Sequence, residues 1–142
     1  MTTIADLLER KGNQIYSINP DAKVFDAITL MAEKEIGALL VMEGKDLKGI
    51  LSERDYARKV ILKGKASRET PVGDIMSTRV VCVSPERNVD ECMAVMTENR
   101  IRHLPVMDGA EVVGVVSIGD LVKSIIEEQK FVIEQLQNYI GS

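Results

Sequence analysis

Apolar positions along this chain fall into two rhythms, and the same succession of rhythms occurs twice. Val24, Ala27, Ile28, Met31 and Ala32 recur at steps of three and four, the stripe of an amphipathic helix. Val89, Cys92, Met93 and Met96 repeat that stripe in the second half. Ahead of each lies a short apolar segment (Ile15–Ile18, Val80–Val83), then a Pro and an acidic residue, which predict a helix start. Behind each lie two apolar runs around an acidic-glycine turn. Ala38–Met42 and Leu47–Leu51 flank Glu43-Gly44-Lys45-Asp46, and Leu104–Met107 and Val112–Val116 flank Asp108-Gly109-Ala110-Glu111. Such runs predict β-hairpins. A second helix opens at Ser52 and at Ser117. The predicted order is β-α-β-β-α, twice.

Shifting the chain by 65 positions aligns Pro20–Asp55 with Pro85–Asp120 without gaps, and twelve of those thirty-six positions are identical. Average residue usage predicts roughly two or three by chance, so the chain is a tandem duplication. Upstream the offset becomes 68, with Ile4-Ala5-Asp6-Leu7-Leu8 parallel to Val72-Gly73-Asp74-Ile75-Met76. The organisation this predicts is a first repeat over 1–62, a linker over 63–71, a second repeat over 72–126 and a helical extension over 127–142. About sixty residues make a marginal core alone, and both hairpins are apolar on both faces. The expected fold is therefore α+β, with two repeats packed sheet to sheet about a pseudo-twofold axis, clefts between them, and a long C-terminal helix.

Composition narrows the function. Of 142 residues, 45% are apolar and 28% charged, which fits a globular protein and excludes a disordered chain. Eighteen basic against twenty-two acidic residues give a net charge of −4, and aromatic content is 4% without Trp. A basic face and stacking platforms are both missing, so nucleic acid is not an expected partner. No apolar run is long enough for a membrane span. Cys82 and Cys92 sit in apolar patterns and read as core filler rather than a disulfide framework. The N-terminus carries no secretory signal pattern, so the expected compartment is the cytoplasm.

The matched polar positions form Gly49-x-x-Ser52-x-x-Asp55 and Gly114-x-x-Ser117-x-x-Asp120. A Ser followed three residues later by an acid at a helix start is a capping box, contributing on the order of 1 kcal/mol. The same geometry offers backbone N–H groups to an anion, a hydroxyl to a phosphate and a carboxylate to a ribose diol, with the glycine admitting a ligand closely. The two roles do not exclude one another.

These motifs, the Val72-Gly73-Asp74-Ile75-Met76 lead-in and Arg100-Ile101-Arg102-His103-Leu104-Pro105-Val106 together resemble a pair of CBS domains, the regulatory Bateman module, over residues from about Ile4 to Ile126. Ser52-Glu53-Arg54-Asp55-Tyr56 with the C-terminal helix is most similar to stand-alone single-pair proteins. The resemblance implies binding of adenosine-containing ligands: AMP, ADP, ATP, NAD or S-adenosylmethionine. It implies that Asp55 and Asp120 hold the ribose hydroxyls, with Ser52 and Ser117 near ribose or phosphate. It places Lys11–Ile15 beside the Asp120 site and Ser77–Val80 beside the Asp55 site. Asn13, Ile15, Ile36, Arg102, His103 and Gly119 complete the former; Arg54, Thr78, Val80 and Ile101 complete the latter. Arg102 and His103 align with uncharged Gly37 and Ala38, so the Asp120 site is expected to be the better phosphate binder.

Beyond the second motif, Val122, Ile125, Gln129, Val132, Leu136 and Tyr139 step by three and four, the spacing of a coiled-coil seam. Ile126, Ile133 and Ile140 widen the stripe. It is expected to pack across a homodimer, with packing on its own domain as the alternative. Catalysis is not expected. A single His and no ligand cluster leave zinc chemistry without ligands, and Gly64-Lys65-Ala66-Ser67 lacks the earlier Gly of a phosphate loop. Ser, His and Asp near the second motif come with no nucleophile turn. The leading expectation is a nucleotide-responsive regulatory module with no metal requirement. The alternatives are a ligand-free dimeric scaffold and an enzyme acting on an adenine nucleotide.

Overall fold

The apolar double runs close into hairpins through two-residue turns. Gly44 and Gly109 open those turns at φ 63° and 62°, a region that costs glycine nothing. The structure, a computed structural model, describes residues 2–141. Its elements are α1 (Ile4–Lys11), β1 (Ser17–Ile18), α2 (Val24–Lys34), β2 (Ala38–Glu43), β3 (Asp46–Ser52) and α3 (Glu53–Tyr56), which runs on as a π-helical turn over Ala57–Ile61. A 3-10 turn at Val72–Asp74 leads to α4 (Val89–Asn99), β4 (His103–Asp108), β5 (Glu111–Ser117) and α5 (Ile118–Gly141). The class is α+β, with one sheet ordered β1-β2-β3 and another made of β4 and β5.

The chain divides into two compact units. The first-copy unit holds Ile15–Val81 with Gly109–Val112, and the second-copy unit holds residues up to Gln14, Cys82–Asp108 and the chain from Val113 on. The core of the first-copy unit is Val24, Ala27, Met31, Leu39, Val41, Leu51, Val60, Val72 and Ile75. In the second-copy unit Ile4, Leu7, Leu8, Val89, Cys92, Met96, Leu104, Val106, Val116 and Leu121 are buried.

Each unit thus takes its lead-in segment from the other sequence repeat, so α1 packs with the second copy and Val72–Asp74 with the first. The same three backbone bonds dock both lead-ins. Ile4, Ala5 and Val89 N–H donate to the carbonyls of Arg87, Pro85 and Thr2. At the aligned positions, Val72, Gly73 and Val24 N–H donate to those of Ala22, Pro20 and Thr70. The matched Pro residues therefore lie in a turn that receives the lead-in, and the helices start afterwards, at Val24 and Val89. Asn88 caps α4 with Glu91 in a reciprocal box, whereas Lys23 gives α2 no side-chain cap.

Two details depart from the sequence expectation. Val80–Val83 forms only a single parallel bridge, Val83 to Val106, where the first copy has a strand. In the first copy Leu40 N–H reaches the Tyr16 carbonyl at 3.3 Å. The aligned residue is Pro105, which has no N–H to give, so the ladder stops. Cys82 is exposed and only Cys92 is core, because neighbours in an extended segment point to opposite sides and Val83 takes the inner one. The C-terminal stripe does not fold back: α5 is unbroken, and every residue from 127 to 141 is exposed.

Candidate functional site

Both Ser–Asp pairs sit where a hairpin strand turns into a helix, and both form reciprocal caps. Ser117 N–H donates to Asp120 Oδ2 at 2.8 Å, and Asp120 N–H donates to Ser117 Oγ at 3.1 Å. The first copy matches, at 3.0 Å from Ser52 N–H to Asp55 Oδ2 and 3.2 Å from Asp55 N–H to Ser52 Oγ.

The remaining partners differ. Asp55 is buried, 8% exposed. Its Oδ2 also accepts from Ser52 Oγ at 3.1 Å, while its Oδ1 accepts from Ser77 Oγ at 3.3 Å and faces Lys59 Nζ at 3.2 Å. Lys59 is anchored in turn on the Ile75 carbonyl at 3.0 Å. Asp120 is half-buried, and its charged partner arrives from α1: Lys11 Nζ lies 2.6 Å from Oδ2 and also donates to the Val115 carbonyl at 2.9 Å. Burial pushes the Asp120 carboxyl up, but the Lys11 ammonium and the Ser117 N–H outweigh it and hold the group below its ordinary value.

The motif glycines, expected to admit a ligand, admit protein instead. A Cβ on Gly49 would stand 2.8 Å from both the Ser77 carbonyl oxygen and Met76 Sδ; one on Gly114 would stand 2.8 Å from Leu8 Cδ2. Leu8 and Met76 are aligned residues of the two lead-ins, so each glycine is the socket for the other repeat's segment. In the first copy a pair of bonds locks the approach, Ile50 N–H to the Ser77 carbonyl at 3.0 Å and Ser77 N–H to the Ile50 carbonyl at 2.9 Å.

The CBS domain family matches residues 3–62 and 72–127, which is most of the chain and both copies. The chain belongs to the CBS domain family. It is 40% identical to the mitochondrial CBS domain-containing protein CBSX3 of Arabidopsis thaliana, over 98% of this chain and 72% of that one. With the CBS domain-containing protein YhcV of Bacillus subtilis the identity is 32%, over 85% and 84%. A solved CBS-domain structure from Burkholderia ambifaria, named as a candidate signal-transduction protein, superposes with a TM-score of 0.87 at 53% identity. That match covers 90% of this chain and 96% of the other.

Within this CBS pair, the structure gathers Lys11, Ser117 and Asp120 in the second-copy unit, with the Arg102 carbonyl accepting from Ile118 N–H at 2.8 Å. Gly37 plays that part in the first copy, accepting from Glu53 N–H at 3.0 Å. Arg102 and Gly119 are exposed, His103 is half-buried at the start of β4, and Asn13 is exposed two residues past Lys11. In the first-copy unit Ser52, Asp55 and Ser77 come together, Arg54 and Thr78 are exposed, and Val80 is half-buried. Ile15 and Ile36 belong to the other unit from Asp120, as Ile101 does from Asp55. Ile36 and Ile101 have a structural duty. They seal α2 and α4 by donating N–H to the Met31 and Met96 carbonyls at 3.0 Å, after the left-handed residues Glu35 and Arg100.

One partner, Lys59, was not singled out from the sequence, and the other, Lys11, came only within the Lys11–Ile15 segment that the family resemblance sets beside the Asp120 site. Lys59 stands four residues after Asp55, a helical pairing distance that could have flagged it. Lys11 is 109 positions from Asp120 and gave no local signal. Among the described residues no group of three His, Cys, Asp or Glu is placed to hold a metal ion, and no helix is long and apolar enough to cross a membrane.

Proposed function

We propose that this CBS pair is a non-catalytic regulatory module that binds an adenosine-containing nucleotide (AMP, ADP, ATP or NAD) at Asp120. Binding is read out as a conformational or dimer change in a cytoplasmic homodimer formed through CBS faces and the C-terminal helix. The observation that carries this reading is the half-buried Asp120 carboxylate held by the long, partly exposed side chain of Lys11. A ribose diol offers two O–H donors, which can take the place of the Lys11 ammonium on the carboxylate. The freed ammonium is then available to a phosphate within a side chain's reach, joined by the exposed Arg102. The donor set therefore fits a nucleotide. Asp55 fits less well, since its carboxylate is buried under Ser52, Ser77 and Lys59. A nucleotide that shifts the conformation must bind one arrangement more tightly than the other.

Titration calorimetry with AMP, ATP, NAD and S-adenosylmethionine tests the reading. Asp120→Ala is expected to weaken the tightest nucleotide at least tenfold, and Asp55→Ala to weaken it less. Thermal shift gives an independent check, since a ligand at one hundred times its Kd stabilises by about 2.7 kcal/mol. Equal losses at both carboxylates would contradict the ranking. No binding by any of the four would leave the second reading, a ligand-free scaffold, which the reciprocal Ser–Asp caps in both copies support. Turnover of any of them would favour an enzyme.

A further inference from the structure

α5 presents two unlike flanks beside its seam. The seam residues Val122, Ile125, Gln129, Val132, Leu136 and Tyr139 are bordered on one side by Ile126, Ile133 and Ile140, and on the other by Glu128 and Gln135. Most of the apolar members are exposed: Val122 by about two-fifths, Ile126, Val132, Ile133 and Leu136 by about half, and Tyr139 and Ile140 by more than four-fifths, whereas Ile125 is half-buried. A stripe this wide needs an apolar partner of matching length. The flanks decide its orientation. In a parallel pair, the twofold axis runs along the seam and sets the left flank of one helix against the right flank of its mate. That would press Ile133 against Glu128 and Ile140 against Gln135. In an antiparallel pair, the axis crosses the seam, so like meets like.

We infer that α5 pairs antiparallel with α5 of a second copy of this chain. Val122 lies opposite Tyr139, Ile125 opposite Leu136 and Gln129 opposite Val132, so Ile126 meets Ile133 on one flank and Glu128 meets Gln135 on the other. A parallel pair would gain one Gln129–Gln129 amide contact across the seam. It would lose the isoleucine contacts on both sides, and the loss is the larger. This inference rests on the homodimer proposed above and adds its geometry. It also joins the dimer to the site, because Val122 follows Asp120 by two residues. The tip of each tail reaches the root of the helix that carries the other copy's Asp120.

The test is disulfide trapping in the full chain carrying Val122→Cys and Tyr139→Cys, with exposed Cys82 changed to Ser and buried Cys92 kept. Within one helix the two positions are about 26 Å apart, so no bond forms within a chain. Mild oxidation is expected to give a covalent dimer whose tryptic map joins position 122 to position 139. Bonds of 122 to 122 and 139 to 139 would overturn the antiparallel arrangement while leaving the homodimer intact. A dimer by light scattering that yields no cross-link would show that the tail is not the seam. A monomer at high concentration would remove the homodimer itself. AMP calorimetry on the same protein reports separately on the nucleotide reading.

Discussion

The two Ser–Asp motifs share backbone geometry and differ in what surrounds the carboxylate. Asp55 is packed under groups of its own unit, with Ser77 contributed by the docked lead-in and Lys59 by the following turn. Asp120 has a single long-reach cation and more solvent. The two copies thus share the cap and differ in its partners, so that one carboxylate is buried and the other stays more accessible. The lead-ins show how. The second lead-in leaves its 3-10 turn at once and lays Met76-Ser77 against Ile50, with a carbonyl over Gly49. The first continues as a full helix and covers Gly114 with a flexible leucine.

The glycine sockets give the largest expected contrast. Gly49→Ala forces a methyl against the Ser77 carbonyl, which is fixed by its bridge to Ile50, and should cost about 3 kcal/mol by urea unfolding. Gly114→Ala meets only the end of Leu8 and should cost about 1 kcal/mol, since Leu8 can change rotamer. Equal losses would mean that both lead-ins yield alike.

Next comes the pair of carboxylates without ligand. Asp55→Ala strands Ser77 and Lys59 besides removing a cap, and should destabilise by about 2 kcal/mol. Asp120→Ala removes the cap and an exposed partner, and should cost about 1 kcal/mol. A larger loss at Asp120 would reverse the division of labour.

The smallest effect lies in pH. Asp120 is held below its ordinary value, so its contribution is present above the unfolded pKa of about 3.9 and fades as pH falls through the lower folded value. Wild type and Lys11→Met should differ by a few tenths of a kcal/mol at pH 7, after discounting for the exposure of the pair. The two stability curves should converge on acidification below pH 4. A gap that persists in acid would assign the role of Lys11 to packing.

Much of this was legible because local periodicity and the duplication point the same way. The hairpins, α2, α4 and the reciprocal caps all follow from residues within a few positions of one another. What was not legible depends on distance. No residue near Asp120 announces Lys11, which only the family resemblance set beside it, and Gly49 and Gly114 look like ligand-facing glycines until Met76 and Leu8 are seen to fill the space. Pro105 was visible in the aligned repeats, yet its effect on Val80–Val83 needed the strand partner that its missing N–H would have served. The sequence repeat boundaries also differ from the compact units, because the lead-ins cross over.

That crossing sets an order of assembly during synthesis. Residues 15–81 supply nearly all of the first-copy unit in one stretch and can collapse soon after they leave the ribosome. α1 emerges before them, yet its hydrogen-bonded neighbours at Pro85 and Arg87 and its Asp120 anchor are made later. At roughly 5–20 residues per second, it waits on the order of ten seconds. In that interval its Ile4, Leu7 and Leu8 are bare, and a chaperone or a neighbouring nascent chain has its best opportunity to seize them.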